Sequence, residues 1–519
     1  MRRPHGSPPR GMDNHPSSPA FEGTFGRIFR TLPAAKFSNK ALEALAAKMI
    51  APLDFPPTPE NEVDDEENQG IDAGYTYFGQ FIDHDLTFDP ASSLQKLDDP
   101  NGLVDYRTPR FDLDNLYGRG PDDQPYMYEP DGIHFILGGK LKGNDKDHDS
   151  RDLPRNNADP KRAIIGDPRN DENTIVSQLQ ATFLRFHNYM ADKLSGSGKH
   201  AVAFPHIQRE VRWHYQWVVL HDFLPTIVGQ NMVDSILPHL KSGKTIYEDP
   251  PKFRAYTFTR HPFIPVEFSV AAYRFGHSMV RPIYRLNLSI DRKTIFASDG
   301  HKSLDGFREL PKDWAIDWEL FFNPGNAPIK GHTRIQKAYK IDTSLVNPLG
   351  DLNLDKGAIA GGPPSLALRN LLRGREFSLP SGQSVARFLG EPVINDADLR
   401  VGKATKDNTE GNAKTKIPKN DPITAISPEF TGNAPLWFYI LSEAQQLFQK
   451  QDPIDNSFPI RLGPVGGRIV AETFIGLMLG DPQSFLSQHP DWTPMGSLGG
   501  DKCRIKDLLN AARDGVKKA

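Results

Sequence analysis

Apolar side chains recur at steps of three and four along several stretches of the chain. Val176, Leu179, Phe183, Phe186, Met190 and Leu194 keep that rhythm, the spacing of one face of a helix with 3.6 residues per turn. Trp213, Trp217 and Leu220 carry the period into a second helix. Segments 266–280, 436–448 and 468–479 read as three more, the first stopped by Pro282, which lacks a backbone donor. Strand-like alternation is scarce, and no 20–50-residue period repeats. Segments 90–160, 285–360 and 395–430 are dense in Gly, Pro, Asp, Asn and Lys and read as long connections. Lys403, Lys406, Lys414, Lys416 and Lys419 are expected in a solvated loop. The pattern predicts a mainly α fold with long loops and little β. It is expected to form one large helical domain over 23–519, after a disordered arm, 1–22, dominated by Pro, Ser and Gly.

Composition narrows the function classes. The 62 Lys and Arg against 65 Asp and Glu leave a net charge of −3, so neither a bulk basic surface for nucleic acid nor an acidic tail is expected. No run approaches the ~18 apolar residues of a membrane span. The N-terminus carries charge without an apolar core, so it does not read as a secretory signal. A cytoplasmic location, or secretion without a recognisable signal, is expected. The single cysteine, Cys503, excludes an internal disulfide and cysteine-ligated zinc or iron–sulfur centres. Any metal must be held by His, Asp, Glu or backbone oxygen.

The candidate chemistry is concentrated in a few blocks. Residues 75–90 read YTYFGQFIDHDLTFDP. As a helix, this segment sets Gln80, Asp83 and His84 at i, i+3 and i+4 on one face, with Asp85 rotated about 100° away. An amide, a carboxylate and an imidazole together are costly to bury without a use. Residues 108–118, TPRFDLDNLYG, gather acidic side chains, and calcium takes six to eight oxygen ligands. Further blocks are GDPRNDE at 166–172, AAYRFGHSMVRP at 271–282, NLLRGREFSLP at 370–380 and LGPVGGRIVAETFIGLM at 462–478.

In this order, from about residue 70 to 480, the blocks resemble the animal-type haem peroxidases, the peroxidase–cyclooxygenase superfamily. The lone cysteine sets the chain apart from disulfide-rich vertebrate members and points to a bacterial one. The resemblance implies haem b and calcium as cofactors. It makes His84 the distal histidine, Gln80 its neighbour on the peroxide side and Arg169 the distal arginine. Asp83 and Glu172 are then the residues that can form esters with the haem. It makes His277 the iron ligand, with Gly276 leaving room beside it. Asn370 would accept from the His277 ring N–H that faces away from iron, and Arg274 and Arg373 would pair with propionates. Asp85, Thr108, the Arg110 carbonyl, Asp112 and Asp114 become the calcium ligands, Asp114 standing where the family often has Ser. Asn173 stands where myeloperoxidase has a haem-bonding Met, so that third link is expected to be absent. Glu376 and Phe377 replace the family's usual Asp-His pair. Arg274 occupies the position at which cyclooxygenases carry a radical-forming tyrosine.

The activity implied is reduction of hydrogen peroxide, with oxidation of bromide, iodide, thiocyanate or phenols in preference to chloride, as in a response to oxidative stress. His84 would be the proton acceptor, and Arg169 would stabilise developing negative charge. Activity should fail in acid as His84 takes up a proton. The alternatives are a haem-dependent fatty-acid dioxygenase of the same superfamily and a calcium-binding adhesion or interaction protein on the same fold. The oligomeric state is left open.

Overall fold

The three-and-four rhythm of residues 176–194 is realised as one long helix, and its start is set by a side chain. Asn173 Oδ1 accepts from the N–H groups of Ile175 and Val176 at 3.1 and 3.0 Å, which satisfies donors that have no partner in the first turn. The computed structural model describes residues 25–53, 64–87, 108–195, 202–257, 262–296, 303–328, 331–352, 363–411, 414, 418–451, 454–455 and 457–515. The arm expected over 1–22, positions 88–90 of the 75–90 segment, Lys416 and parts of the long connections lie outside the described residues.

The helices that build the core and the site are α1 (Asn39–Met49), α2 (Gly74–Leu86), α3 (Thr174–Ser195), α4 (Phe204–Val218), α5 (Leu366–Glu376), α6 (Leu436–Gln449), α7 (Pro464–Gly480) and α8 (Ile505–Asp514). The fold is mainly α. Strands among the described residues form two-stranded pairs, the longest joining Glu67–Asp72 antiparallel to Lys337–Tyr339. Helix α3 packs against α2, α4 and α8, while α1 lies on α5 and α6 on α7. One connected apolar core runs through these contacts, from Phe25 to Ala512. No helix among the described residues is long and apolar enough to cross a membrane.

Aromatic packing fixes the roll of α2. Phe78 and Phe81 sit one turn apart and are fully buried. Phe81 stacks on Phe183 of α3 at 4.7 Å, and Phe78 meets Phe223 edge-on at 5.7 Å. Each such pair is worth about 0.5–1.5 kcal/mol beyond simple burial. With that face anchored, the opposite face carrying Gln80, Asp83 and His84 is turned toward the site. The helix begins at Gly74, whose N–H donates to Phe321 O at 3.0 Å. A Cβ there would lie 2.4 Å from the Phe322 ring, so the close approach requires glycine.

Two sequence expectations are corrected. Segment 266–280 is not one helix. It forms a short helix, Val266–Val270, then a break at Ala271 and a 3₁₀ segment, Ala272–His277. The Arg274 side chain supplies a reason: its Nε donates to Ser269 O at 2.8 Å, a carbonyl that a continuing α-helix would use for its own backbone. Lys403 does not belong to a solvated loop either. It is largely buried and ion-paired with Glu66, and it is followed by a short helix, Lys406–Glu410.

Candidate active site

On α2 every residue is buried except Gly79, Gln80 and Asp83, which stay partly accessible. The same partial access recurs at Arg169 and Glu172, and at Arg274, Gly276 and His277. These segments touch. Asp83 Oδ2 lies 3.4 Å from Arg274 Nη1, and the Tyr273 hydroxyl donates to Gly79 O at 3.2 Å. A Cβ on Gly276 would meet nothing within 4 Å. Accessible positions facing one another inside a buried surround mark a cleft between α2 and the 3₁₀ segment.

His84 forms one wall. Its Nδ1 lies 2.7 Å from Asn170 Oδ1, and its Nε2 lies 4.0 Å from Glu172 Oε1. Burial, then the Arg169 charge, push its pKa down to about 4, so the ring is neutral at physiological pH. Arg169 sits in the 3₁₀ turn Pro168–Asp171, whose first N–H groups are capped by Asp167. The guanidinium donates to the His84 and Thr87 carbonyls, closing the C-terminal end of α2, and to Asp167. Gln80 is held at both ends of its amide. Its Nε2 donates to Glu172, and its Oε1 accepts from Asn173 at 3.1 Å.

The two ester candidates are shifted in opposite directions. Burial works against the charged form of Asp83, yet Arg274 and Arg169 together hold its carboxyl below the usual range. Burial pushes Glu172 up to about 7, with Arg169 opposing. Arg274, expected at a propionate, is thus engaged with Asp83.

His277 ends the 3₁₀ segment that meets α2 through Arg274 and Asp83. Burial first, then the Arg274 charge, push its pKa down to about 3, with Asp83 opposing and Arg373 adding to the fall. The Asn370 carboxamide, from α5, is 2.8 Å from His277 Nδ1. The contacting atom is Nδ2. A half-turn of the amide presents Oδ1 to an Nδ1–H, the arrangement that frees Nε2 as a ligand. In the 3₁₀ segment, with three residues per turn, Arg274 and His277 fall on one face. The donor set suits a haem. A neutral imidazole lies beside an amide, with Arg274 and Arg373 near enough to shift it and open space at Gly276, and a second neutral imidazole stands on α2 next to Asp83.

The acidic loop sits behind α2. Asp85, Asp112 and Asp114 bring carboxylate oxygens within 4.8 Å of one another. Both Asp85 oxygens are buried without a hydrogen bond. Burial, then Asp112 and Asp114, drive its pKa well above the ordinary value. A buried, repelling carboxylate group of this kind is what a divalent cation reverses. Leu113, between the two loop aspartates, adopts a left-handed conformation at φ 56°, rare for a branched residue. Thr108 Oγ1 donates to Asp112 at 2.6 Å. The Arg110 side chain turns to Asp481, 3.8 Å away. Gln216 of α4 grips the loop through the Phe111 carbonyl at 2.9 Å.

The sequence reading missed Asn170 and Gln180. Asn170 was visible only as a neighbour of Arg169, and Gln180 lies a helix away with no motif around it. Asn173 was noted as a replacement for Met, not as the residue that caps α3 and grips Gln80.

Comparison with known proteins identifies the family and the fold. Residues 92–410 match the profile of the family described as animal haem peroxidase. Human (Homo sapiens) thyroid peroxidase is 26% identical over 250 residues, 47% of this chain and 24% of that protein. Peroxidasin of Drosophila melanogaster is 24% identical over 279 residues, 52% of this chain and 17% of that protein. The chain thus matches about a quarter or less of the length of these relatives. Among solved structures, peroxidase A from Dictyostelium discoideum superposes with a TM-score of 0.56 at 16% identity, covering 95% of this chain and 93% of that one. Fatty acid alpha-dioxygenase from Arabidopsis thaliana gives 0.55 at 14% identity, covering 96% and 78%. These structures share the fold.

Proposed function

The chain belongs to the animal haem peroxidase family, and from that premise we propose that it binds haem b and reduces hydrogen peroxide at the expense of small donors. The observation that carries the reading is a neutral imidazole on each of two segments, His84 on α2 and His277 in the 3₁₀ segment, that meet at the Asp83–Arg274 contact. The haem, when bound, supplies iron that accepts peroxide and passes oxidising equivalents to the donor. His277 would hold the iron, with Asn370 fixing its ring. His84 Nε2 takes a proton from incoming hydrogen peroxide and returns it to the departing oxygen. Arg169 steadies the negative charge on that oxygen as the O–O bond breaks. Asp83 and Glu172 are the ester candidates. Esterification of Asp83 would remove the anion that now holds Arg274 and free it for a propionate, alongside Arg373. Asp85, Asp112 and Asp114, with Thr108 and the Arg110 carbonyl, would hold calcium behind the distal helix.

Asn173 in place of a sulfonium-forming Met supports bromide, iodide, thiocyanate or phenols as donors over chloride, in a role of peroxide defence. A fatty-acid dioxygenase has the same fold, but Arg274 stands where that chemistry needs a tyrosine. An adhesion protein would have no use for His84, Arg169, His277 and Asn370 together. The deciding experiment is an absorption spectrum of the haem-reconstituted protein before and after one equivalent of hydrogen peroxide, then after donor. A Soret shift reversed by bromide, thiocyanate or phenol is expected. Failure to bind haem would remove the assignment, efficient chloride oxidation at neutral pH would overturn the donor order, and oxygen uptake with linoleate would favour the dioxygenase.

A further inference from the structure

The hydrogen bonds around His84 carry a direction, and that direction begins at an atom with no ambiguity. The Asn115 backbone carbonyl can only accept. Gln180 therefore turns its Nε2 toward it, at 3.3 Å. That leaves Gln180 Oε1 facing Asn170, whose Nδ2 donates to it at 2.8 Å. Asn170 must then present Oδ1 to His84, at 2.7 Å from Nδ1. An amide oxygen accepts and cannot donate, so the proton of the neutral ring sits on Nδ1. The lone pair is left on Nε2, the nitrogen on the cleft side, 4.0 Å from Glu172. Asn170, Gln180 and Asn115 are all buried, so water does not compete for these bonds. Asn115 is tied in turn to α2 through its Nδ2, which donates to Phe81 O at 3.1 Å.

We propose that Asn170, oriented by Gln180, is a positioning residue that fixes the ring tautomer of His84 and so keeps its cleft-side nitrogen able to accept a proton. The inference rests on the proposed role of His84 in peroxide chemistry. The tautomer can be read without that chemistry. With Nε2 protonated, a neutral His84 would have no lone pair facing the cleft and could not act as the acceptor.

The test uses the full chain loaded with haem, in three variants: N170A, N170D and Q180M. Cyanide is the first probe, because hydrogen cyanide must give up its proton to bind ferric iron as the anion. N170A should slow cyanide association by about tenfold to a hundredfold, with haem content and melting temperature close to the parent. N170D keeps an acceptor toward Nδ1 and should recover most of the rate. Q180M leaves the Asn170 amide free to turn over and should fall between them. In the same variants kcat/KM for peroxide should follow the cyanide rates while KM for the donor stays unchanged. The second probe is ¹⁵N-histidine NMR of the zinc-protoporphyrin-loaded chain. His84, assigned by its loss in H84Q, should show a protonated Nδ1 in the parent and a mixture of tautomers in N170A.

Cyanide association within twofold of the parent in a haem-loaded N170A, or a parent ring protonated on Nε2, overturns the proposal. If N170A does not load haem, Q180M decides: a parental cyanide rate there overturns it. A parent protein that binds cyanide yet leaves peroxide untouched would end the peroxidase reading, while the NMR arm still judges the tautomer.

Discussion

Loss of solvent around His84, and then the Arg169 charge, carry its pKa from the ordinary 6.5 of an imidazole down to about 4. Above about pH 4 the ring is neutral and can accept a proton, and below it the ring is cationic and cannot. Peroxide consumption is therefore expected to hold from neutrality to about pH 5 and to fall tenfold per unit below about 4, an acid limit well below the one the bare sequence suggests. Stopped-flow pH profiles would check this. H84Q should lose the limb together with about 10²–10⁴ of the rate, and an unchanged limb in H84Q would show that another group sets it. Glu172 is raised to about 7 by burial. E172Q keeps the amide-sized side chain but removes the carboxyl needed for an ester, so acid–acetone extraction after peroxide treatment should release more haem than from the parent. The face of α2 that carries Gln80, Asp83 and His84 was readable from spacing alone. The amide that holds His84 was not, because it reaches the ring from an 86-residue separation through a tertiary contact that no local pattern encodes.

At the scale of elements, Asn173 serves two structures with one side chain. Its oxygen caps α3 and its nitrogen holds Gln80. N173A should cost about 1 kcal/mol in urea unfolding from the lost cap. It should also loosen Gln80, visible as a raised KM for peroxide. N173D keeps the cap oxygen without the donor, so it should restore the stability but not the KM. Long helices with a clean apolar period, such as α3, α6 and α7, were legible in the sequence. The proximal segment was not. Its apolar spacing suits a helix, but the Arg274 side chain takes the Ser269 carbonyl and the segment tightens into 3₁₀ turns. A side chain that bonds its own backbone leaves no trace in a hydrophobic pattern.

Across the whole molecule, long connections are tied to the core by buried charge. Glu67 accepts from both Arg281 and Arg334 at 2.8 Å, joining the chain just before α2 to the segments after His277. Arg185 of α3 grips Asp147 at 2.6 Å. The composition of these stretches read correctly as irregular, but their anchoring depended on partners up to 337 residues apart and could not be read locally. The acidic loop behaves in the same way. It joins Asp85, next to His84, to Asp112 and Asp114, and a bound cation would offset their repulsion. Removing calcium with a chelator should lower the melting temperature and the activity together, by about 2.7 kcal/mol of stability if the ion had been at a hundred times its dissociation constant. D85N should melt at a temperature insensitive to chelator. A parent protein indifferent to both calcium and chelator would argue against the ion.

Five consecutive residues, 169–173, each hold a distinct set of contacts. Arg169 closes the end of α2, Asn170 meets His84, Asp171 receives the paired bonds of Arg155, Glu172 meets Gln80, and Asn173 caps α3. Their roles are assigned by order alone. A single residue inserted after Arg169 would leave every side chain chemically intact and hand each partner the wrong one. The segment therefore has no freedom to change length, and insertions here should abolish activity where insertions in exposed loops away from the site and the acidic loop do not.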